Sequence, residues 1–259
     1  MTADFGATPL LERRVRPDQS VMAALRGAVE VKTAYAGAFV SQMFGRRSDL
    51  GAKRDWFFMV DGVTADVGAR DYRLRAGETA WWDYRPWGGQ MDVAGAVGLW
   101  PEPFVHGFGG RPAGVSADPP LAAPLRAAGA RLTSGPTPWR VRVGSDAGLR
   151  RRDPVWDRAE RDPRAAGLTA AVEHGAVTAL GPNGSGRSPV PGARALAALV
   201  AVGPRPSDGA VMVVAGLDAA AARAAALRIA RGPGVLRGRY AMTFDGRGNP
   251  IRAAGRAGP

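Results

Sequence analysis

The alternation of apolar and polar positions is clearest in two short runs. In TAWWDYR (79–85) a period of two sends Ala80, Trp82 and Tyr84 to one face and Thr79, Trp81, Asp83 and Arg85 to the other. WFFMVD (56–61) divides the same way, with Trp56, Phe58 and Val60 against Phe57, Met59 and Asp61. Both runs read as strands, and the second ends in a turn at Asp61-Gly62. Upstream, Val21, Met22, Leu25 and Val29 fall at helical spacing behind Ser20, a good N-cap residue, so a helix is predicted over 18–29. The flanking runs 8–16 and 34–45 read as strands. Strand, helix, then several strands predicts an α+β fold that begins with a roll over residues 1–90, the helix covering one face of a mixed sheet.

Beyond residue 90 the texture changes. Residues 91–118 read as a bridge that ends in a Gly/Pro-rich linker, GGRPAGVSADPP. Residues 119–259 then alternate. Helices are predicted at 121–132, 153–166, 192–202 and 219–231, and strands at 139–145, 210–216 and 238–246. A hairpin over 168–181 turns at His174-Gly175. Asp218 caps the helix at 219–231, which stops at Gly232-Pro233. This pattern predicts a compact α/β unit with a frayed tail from residue 251.

Aromatic side chains single out the first unit: eleven of the nineteen lie between Trp56 and Phe108. A consistent assignment buries Trp56, Phe58, Trp82 and Tyr84 under the helix. Phe57, Met59, Trp81 and Arg85 then share the opposite, open face, with Trp87 at its edge and Trp100 facing it from the bridge. Two readings of that face compete: a ligand platform, or a surface that packs against the second unit. As a platform, its ligand-binding residues are Phe57, Met59, Trp81, Arg85, Trp87 and Trp100, with the planar Arg85 guanidinium as donor.

Composition removes several function classes. The absence of cysteine excludes disulfides, thiolate metal sites and cysteine nucleophiles. The net charge of +12 comes almost wholly from scattered Arg and is tied to no nucleic-acid motif, so a nucleic-acid partner is not expected. No run of eighteen apolar residues occurs, so no membrane insertion is expected, and no export signal is visible. His106 and His174 are far apart and lack partners at ligand spacing, so no metal centre is expected. Glu102 beside His106 imitates an acid/base pair but has no third partner in the sequence, so catalysis is not expected. GPNGSG (181–186) lacks the Lys-Ser/Thr of a phosphate loop and reads as a flexible loop, and Gly216-Asp218 reads as a capped strand-to-helix turn.

Taken in order, Trp56, Asp61-Gly62, Gly68, Asp71-Tyr72, Gly77-Glu78-Thr79, Trp82 and Tyr84 give a pattern that resembles the transcobalamin-like C-terminal domain family over about residues 5–90. The resemblance implies a β-grasp-like module, and the whole layout is similar to actinobacterial proteins associated with cobalamin uptake. It further implies a non-enzymatic protein, extracellular or of the cell envelope, that binds a small ligand. A corrinoid is the specific candidate, with cobalamin a transported ligand rather than a cofactor and a membrane transporter a partner. The α/α barrel that faces this module in the vertebrate transporters has no counterpart in residues 119–259. The alternative is a structural or protein-interaction module whose aromatic face docks a partner or the second unit.

Overall fold

The computed structural model describes residues 1–89, 91–181 and 186–251, and the fold is α+β. In the first unit the chain forms β1 (Thr2–Ala3), β2 (Thr8–Pro9), α1 (Val21–Ala28), β3 (Lys32–Ala34), β4 (Phe39–Met43), β5 (Arg46–Arg47), β6 (Arg54–Val60), β7 (Val63–Thr64) and β8 (Ala80–Pro86). Five of the strands make one sheet in the order β2-β1-β8-β6-β7, with β1 parallel to β8 and the β6–β8 pair antiparallel. That pair sets Trp56 opposite Tyr84, Phe58 opposite Trp82, and Met59 opposite Trp81. Both Asp61 (φ 49°) and Gly62 (φ 78°) adopt positive φ, which makes the tight turn between β6 and β7.

Helix α1 forms where its spacing predicts. Ser20 caps it by accepting a 3.1 Å hydrogen bond from the Ala23 amide. Its inner face, Val21, Met22, Ala24 and Leu25, packs on Trp56, Val60, Trp82 and Tyr84, with Phe58 partly buried beside them. Burial of this kind, roughly 1.5–3 kcal/mol per large aliphatic side chain, holds an eight-residue helix that would not persist alone.

Two expected strands differ. The run 8–16 is paired only at β2, because its charged remainder stays exposed and Pro9 offers no amide to a ladder. The run 34–45 is broken. Tyr35, Ala36 and Gly37 turn at positive φ between β3 and β4, and Phe44-Gly45 turn again before β5. The result is a separate ribbon, β3-β4-β5, beside α1.

The second unit is built on a six-stranded sheet. Its elements are β9 (Ser116–Ala117), α2 (Ala122–Ala127), β10 (Arg140–Ser145), α3 (Asp146–Arg152), α4 (Pro154–Arg161), β11 (Ala170–Glu173), β12 (Ala176–Leu180), β13 (Arg187–Pro189), β14 (Ala195–Ala201), β15 (Ala210–Gly216), α5 (Ala219–Arg231), β16 (Met242–Phe244) and β17 (Pro250–Ile251). The order is β17-β16-β14-β15-β10-β9, while β11, β12 and β13 form a smaller antiparallel sheet. Along β15, Met212 and Val214 face α5, and Val211, Val213 and Ala215 face Leu149 and Trp156 of α3 and α4.

The predicted helix at 192–202 is a correction: residues 195–201 are β14, a strand at the centre of this sheet. Ala195, Ala197 and Leu199 are buried on one side of it, and Leu196, Ala198 and Val200 on the other. A strand covered on both faces has no polar alternation to reveal it, and its alanines imitate a helix. Helix α3 was not predicted; it follows a Ser145 cap whose hydroxyl accepts from the Gly148 amide. The stretch expected to be a linker is built into the sheet, since β9 pairs with β10 and Val115 is fully buried. Of the Gly-rich run 181–186, residues 182–185 lie outside the described residues, as does the tail after Ile251. Among the described residues no helix is long and apolar enough to cross a membrane.

Candidate functional site

The face of the first sheet expected to be open is closed. Met59 and Trp81 are buried together with Val93, Ala96 and Tyr240, and Phe5 and Leu99 pack at the margin. The Tyr240 ring stands edge-on to Trp81 at 5.3 Å between centroids and to Phe5 at 5.2 Å. Backbone hydrogen bonds hold this cover in place: the Ala96 amide donates to Gly62 at 2.8 Å, Thr64 to Ala94 at 3.1 Å and Val97 to Tyr240 at 3.2 Å.

Thr2, Asp83 and Arg85 find hydrogen-bond partners inside that face. Thr2 donates to Asp83 Oδ1 at 2.5 Å and accepts from the Trp81 indole at 2.7 Å. The Phe5 and Gly6 amides also donate to Asp83. The Arg85 guanidinium lies 3.8 Å over the Phe57 ring and donates to the Met91 carbonyl at 2.9 Å. Burial pushes the Asp83 carboxyl up, while Thr2, Gly6, the Arg85 charge and Phe5 all oppose that rise. Burial likewise lowers Arg85, while the neighbouring Tyr240 and Asp83 oppose that fall.

The six expected ligand residues therefore do not line one concavity. Met59, Trp81 and Arg85 are sealed beneath the second unit, and Phe57 is half-buried under Arg85. Trp87 sits half-buried just past β8, its amide bonded to Lys53. Trp100 is in a different core, stacked near Phe104 on the α5 side of the second sheet. The period of two sorted the faces correctly, but it carries no information about what lies on top of them.

An open groove of about 390 Å³ does exist, on the other side of the first unit. It runs along the end of α1 and the β3-β4-β5 ribbon and is lined by Val29, Glu30, Lys32, Gln42, Met43, Phe44 and Gly45. Phe44 is exposed at its rim. Gln42 Oε1 is buried there without a hydrogen-bond partner among the described residues. Sequence reading overlooked it because the groove depends on the positive-φ turn at Phe44-Gly45 that splits the expected strand.

A second cluster joins distant segments. Asp61, in the turn after β6, comes close to Glu102 and His106 of the bridge, with one ligand atom of each within 4.8 Å of the others. Glu102 accepts from the His106 amide at 2.9 Å and pairs with His106 Nδ1 at 2.6 Å. Asp61 is fully buried; one of its oxygens accepts from the Thr79 amide at 2.7 Å and the other, Oδ2, has no partner among the described residues. Burial, with the Glu102 charge next, pushes the Asp61 carboxyl up to about 9. Glu102 and His106 lie four residues apart, whereas nothing in the sequence ties Asp61 to them.

Among curated proteins none matches this chain, and no solved structure does. The family described as Domain of unknown function (DUF4430) matches residues 18–85, so the part of the chain from α1 to β8, with the groove and Asp61 inside it, is similar to that family.

Proposed function

We propose that the protein is a non-enzymatic binding protein of the cell envelope that takes a small ligand, a corrinoid, at the groove beside α1. The carrying observation is the unpartnered, buried Gln42 Oε1 in the groove wall. A buried acceptor left without a donor costs about 1–3 kcal/mol, which a ligand amide would recover once the Gln42 side chain turns into the groove. Around it stand Lys32 and Glu30 as polar contacts and Phe44, Met43 and Val29 as apolar wall. A corrin ring offers the matching chemistry, an apolar flank with an amide fringe. The first unit is read here as β-grasp-like, with an envelope location and a membrane transporter as partner, on its transcobalamin-like residue pattern; the DUF4430 match over residues 18–85, a family associated with transcobalamin-like proteins, is in keeping with that pattern.

Protein incubated with cobalamin, then desalted, should retain the corrin absorbance band, and calorimetry should register one site. Phe44→Ala and Lys32→Ala should each weaken binding about tenfold without loss of fold. Wild-type protein that gives no heat and holds no colour would end the corrinoid reading.

The sealed aromatic face favours a second reading, a structural module whose aromatics join the two units. On that reading Tyr240→Ala lowers thermal stability and no ligand binds at all.

A further inference from the structure

The geometry points to a binding site for one divalent first-row transition-metal cation at Asp61, Glu102 and His106. This goes beyond the proposed corrinoid site and is independent of it, since the groove uses none of these residues.

Three observations carry it. The first is convergence: one donor atom from each residue lies within 4.8 Å of the others. Bonds of about 2.0–2.2 Å at tetrahedral or octahedral angles set three donors about 3.0–3.6 Å apart, so binding asks the widest-spaced donors to close by up to about 1.5 Å, and the 2.6 Å Glu102–His106 contact to open. The second is the state of Asp61. It is fully buried, with Thr79 fixing one oxygen and Oδ2 bonded to nothing among the described residues. A buried carboxylate oxygen of this kind is paired or bound to a metal as a rule. The third is the setting of His106. Its Nε2 lies against Gly77, where a β-carbon would come within 2.5 Å, and its Nδ1 is turned towards Glu102. Glycine at 77 leaves room for the ring and holds it so that Nδ1 is the nitrogen facing the carboxylates.

The donor set decides the metal class. Two carboxylates and a neutral imidazole carry two negative charges, matched by one dication. The nitrogen ligand favours Zn²⁺ or Co²⁺ over Ca²⁺ and Mg²⁺, which prefer oxygen alone. Glu102 and His106 side chains keep 12% and 29% of their surface exposed, which gives the ion an entry and leaves positions for water. A bound ion would replace the direct Glu102–His106 contact and tie the β6–β7 turn to the bridge segment, reinforcing the junction of the two units.

The test uses the full chain after chelator treatment. Titration with Zn²⁺ by calorimetry should show one equivalent bound, Co²⁺ should develop visible d–d absorption at the same stoichiometry, and Zn²⁺ should raise the melting temperature. Glu102→Gln and His106→Gln sit on the exposed side of the cluster and should fold; each should weaken binding by about tenfold or more. His174→Gln removes the other histidine and should change nothing. Absence of heat and colour with both metals, binding that survives E102Q and H106Q, or tighter binding of Ca²⁺ than of Zn²⁺ would each overturn the assignment. Corrinoid retention is read separately, so either proposal can fail alone.

Discussion

The two faces of the β6–β8 pair are covered by different means. On the α1 side, Trp56, Val60, Trp82 and Tyr84 meet Val21, Met22, Ala24 and Leu25 in a dry contact made within the first unit. On the far side, Met59 and Trp81 alternate with Asp83 and Arg85, and the cover comes from the bridge and from Tyr240 near the other end of the chain. The first face requires only complementary shape. The second also needs hydrogen-bond partners for Asp83 and Arg85, because a buried charge with none would cost more than the aromatic contact contributes. Mixed polar and aromatic character on a strand therefore need not signal an open surface; here it marks a junction between units in which Asp83 and Arg85 are held by hydrogen bonds.

The strongest way to break that comparison is to truncate one Trp on each side. Trp82 is 4% exposed and Trp81 5%, so Trp82→Ala and Trp81→Ala should each destabilise by about 3–5 kcal/mol in chemical denaturation. A much smaller loss for Trp81→Ala would mean that the far face is open in solution and that a ligand platform there should be reconsidered. The next test sharpens the difference in chemistry. Asp83→Leu or Arg85→Met alone leaves a buried charge uncompensated and should cost about 3–4 kcal/mol, whereas the double substitution should recover much of that loss. Additive losses in this double-mutant cycle would show that the two charges are not coupled.

A smaller effect separates a well-supplied carboxyl from a poorly supplied one. Asp83 has several donors and the Arg85 charge nearby, while Glu160 of α4, buried against the small sheet, accepts among the described residues only from the Val172 amide, at 3.1 and 3.2 Å. Burial, with the Asp146 charge next, pushes Glu160 from 4.5 up to about 8. A carboxyl raised in the folded state binds its proton more tightly there than in the unfolded chain. Its contribution is therefore complete below pH 4.5 and is lost as pH rises towards about 8. Wild-type stability should fall by about 2–3 kcal/mol across that window from this group, and Glu160→Gln should flatten the profile in denaturation curves taken at successive pH values. An unchanged slope in the variant would assign the pH dependence elsewhere.

Much of the first unit was legible. The N-cap and spacing of α1, the β6–β8 alternation and the Asp61-Gly62 turn are local signals, and each appears where it was read. The hairpin at His174-Gly175 and the capped helix after Asp218 are of the same kind. The candidate sites were less legible. The groove depends on turns at Tyr35–Gly37 and Phe44-Gly45 where Tyr, Ala and Phe take positive φ, a conformation their residue types do not announce. The metal cluster needs Asp61 to meet two residues of a bridge that reads as irregular chain.

By itself, then, the sequence determined helix α1, the strands β6 and β8, the turn at Asp61-Gly62 and how the residues of β6 and β8 divide between two faces, since capping, turn chemistry and period act over a few residues. Tertiary structure alone decided that Tyr240 closes the far face, that 195–201 is a central strand and that Asp61, Glu102 and His106 converge. Burial on both sides removes the polar alternation by which a strand is recognised. Contacts between distant segments depend on how completed elements pack, and no local pattern records that.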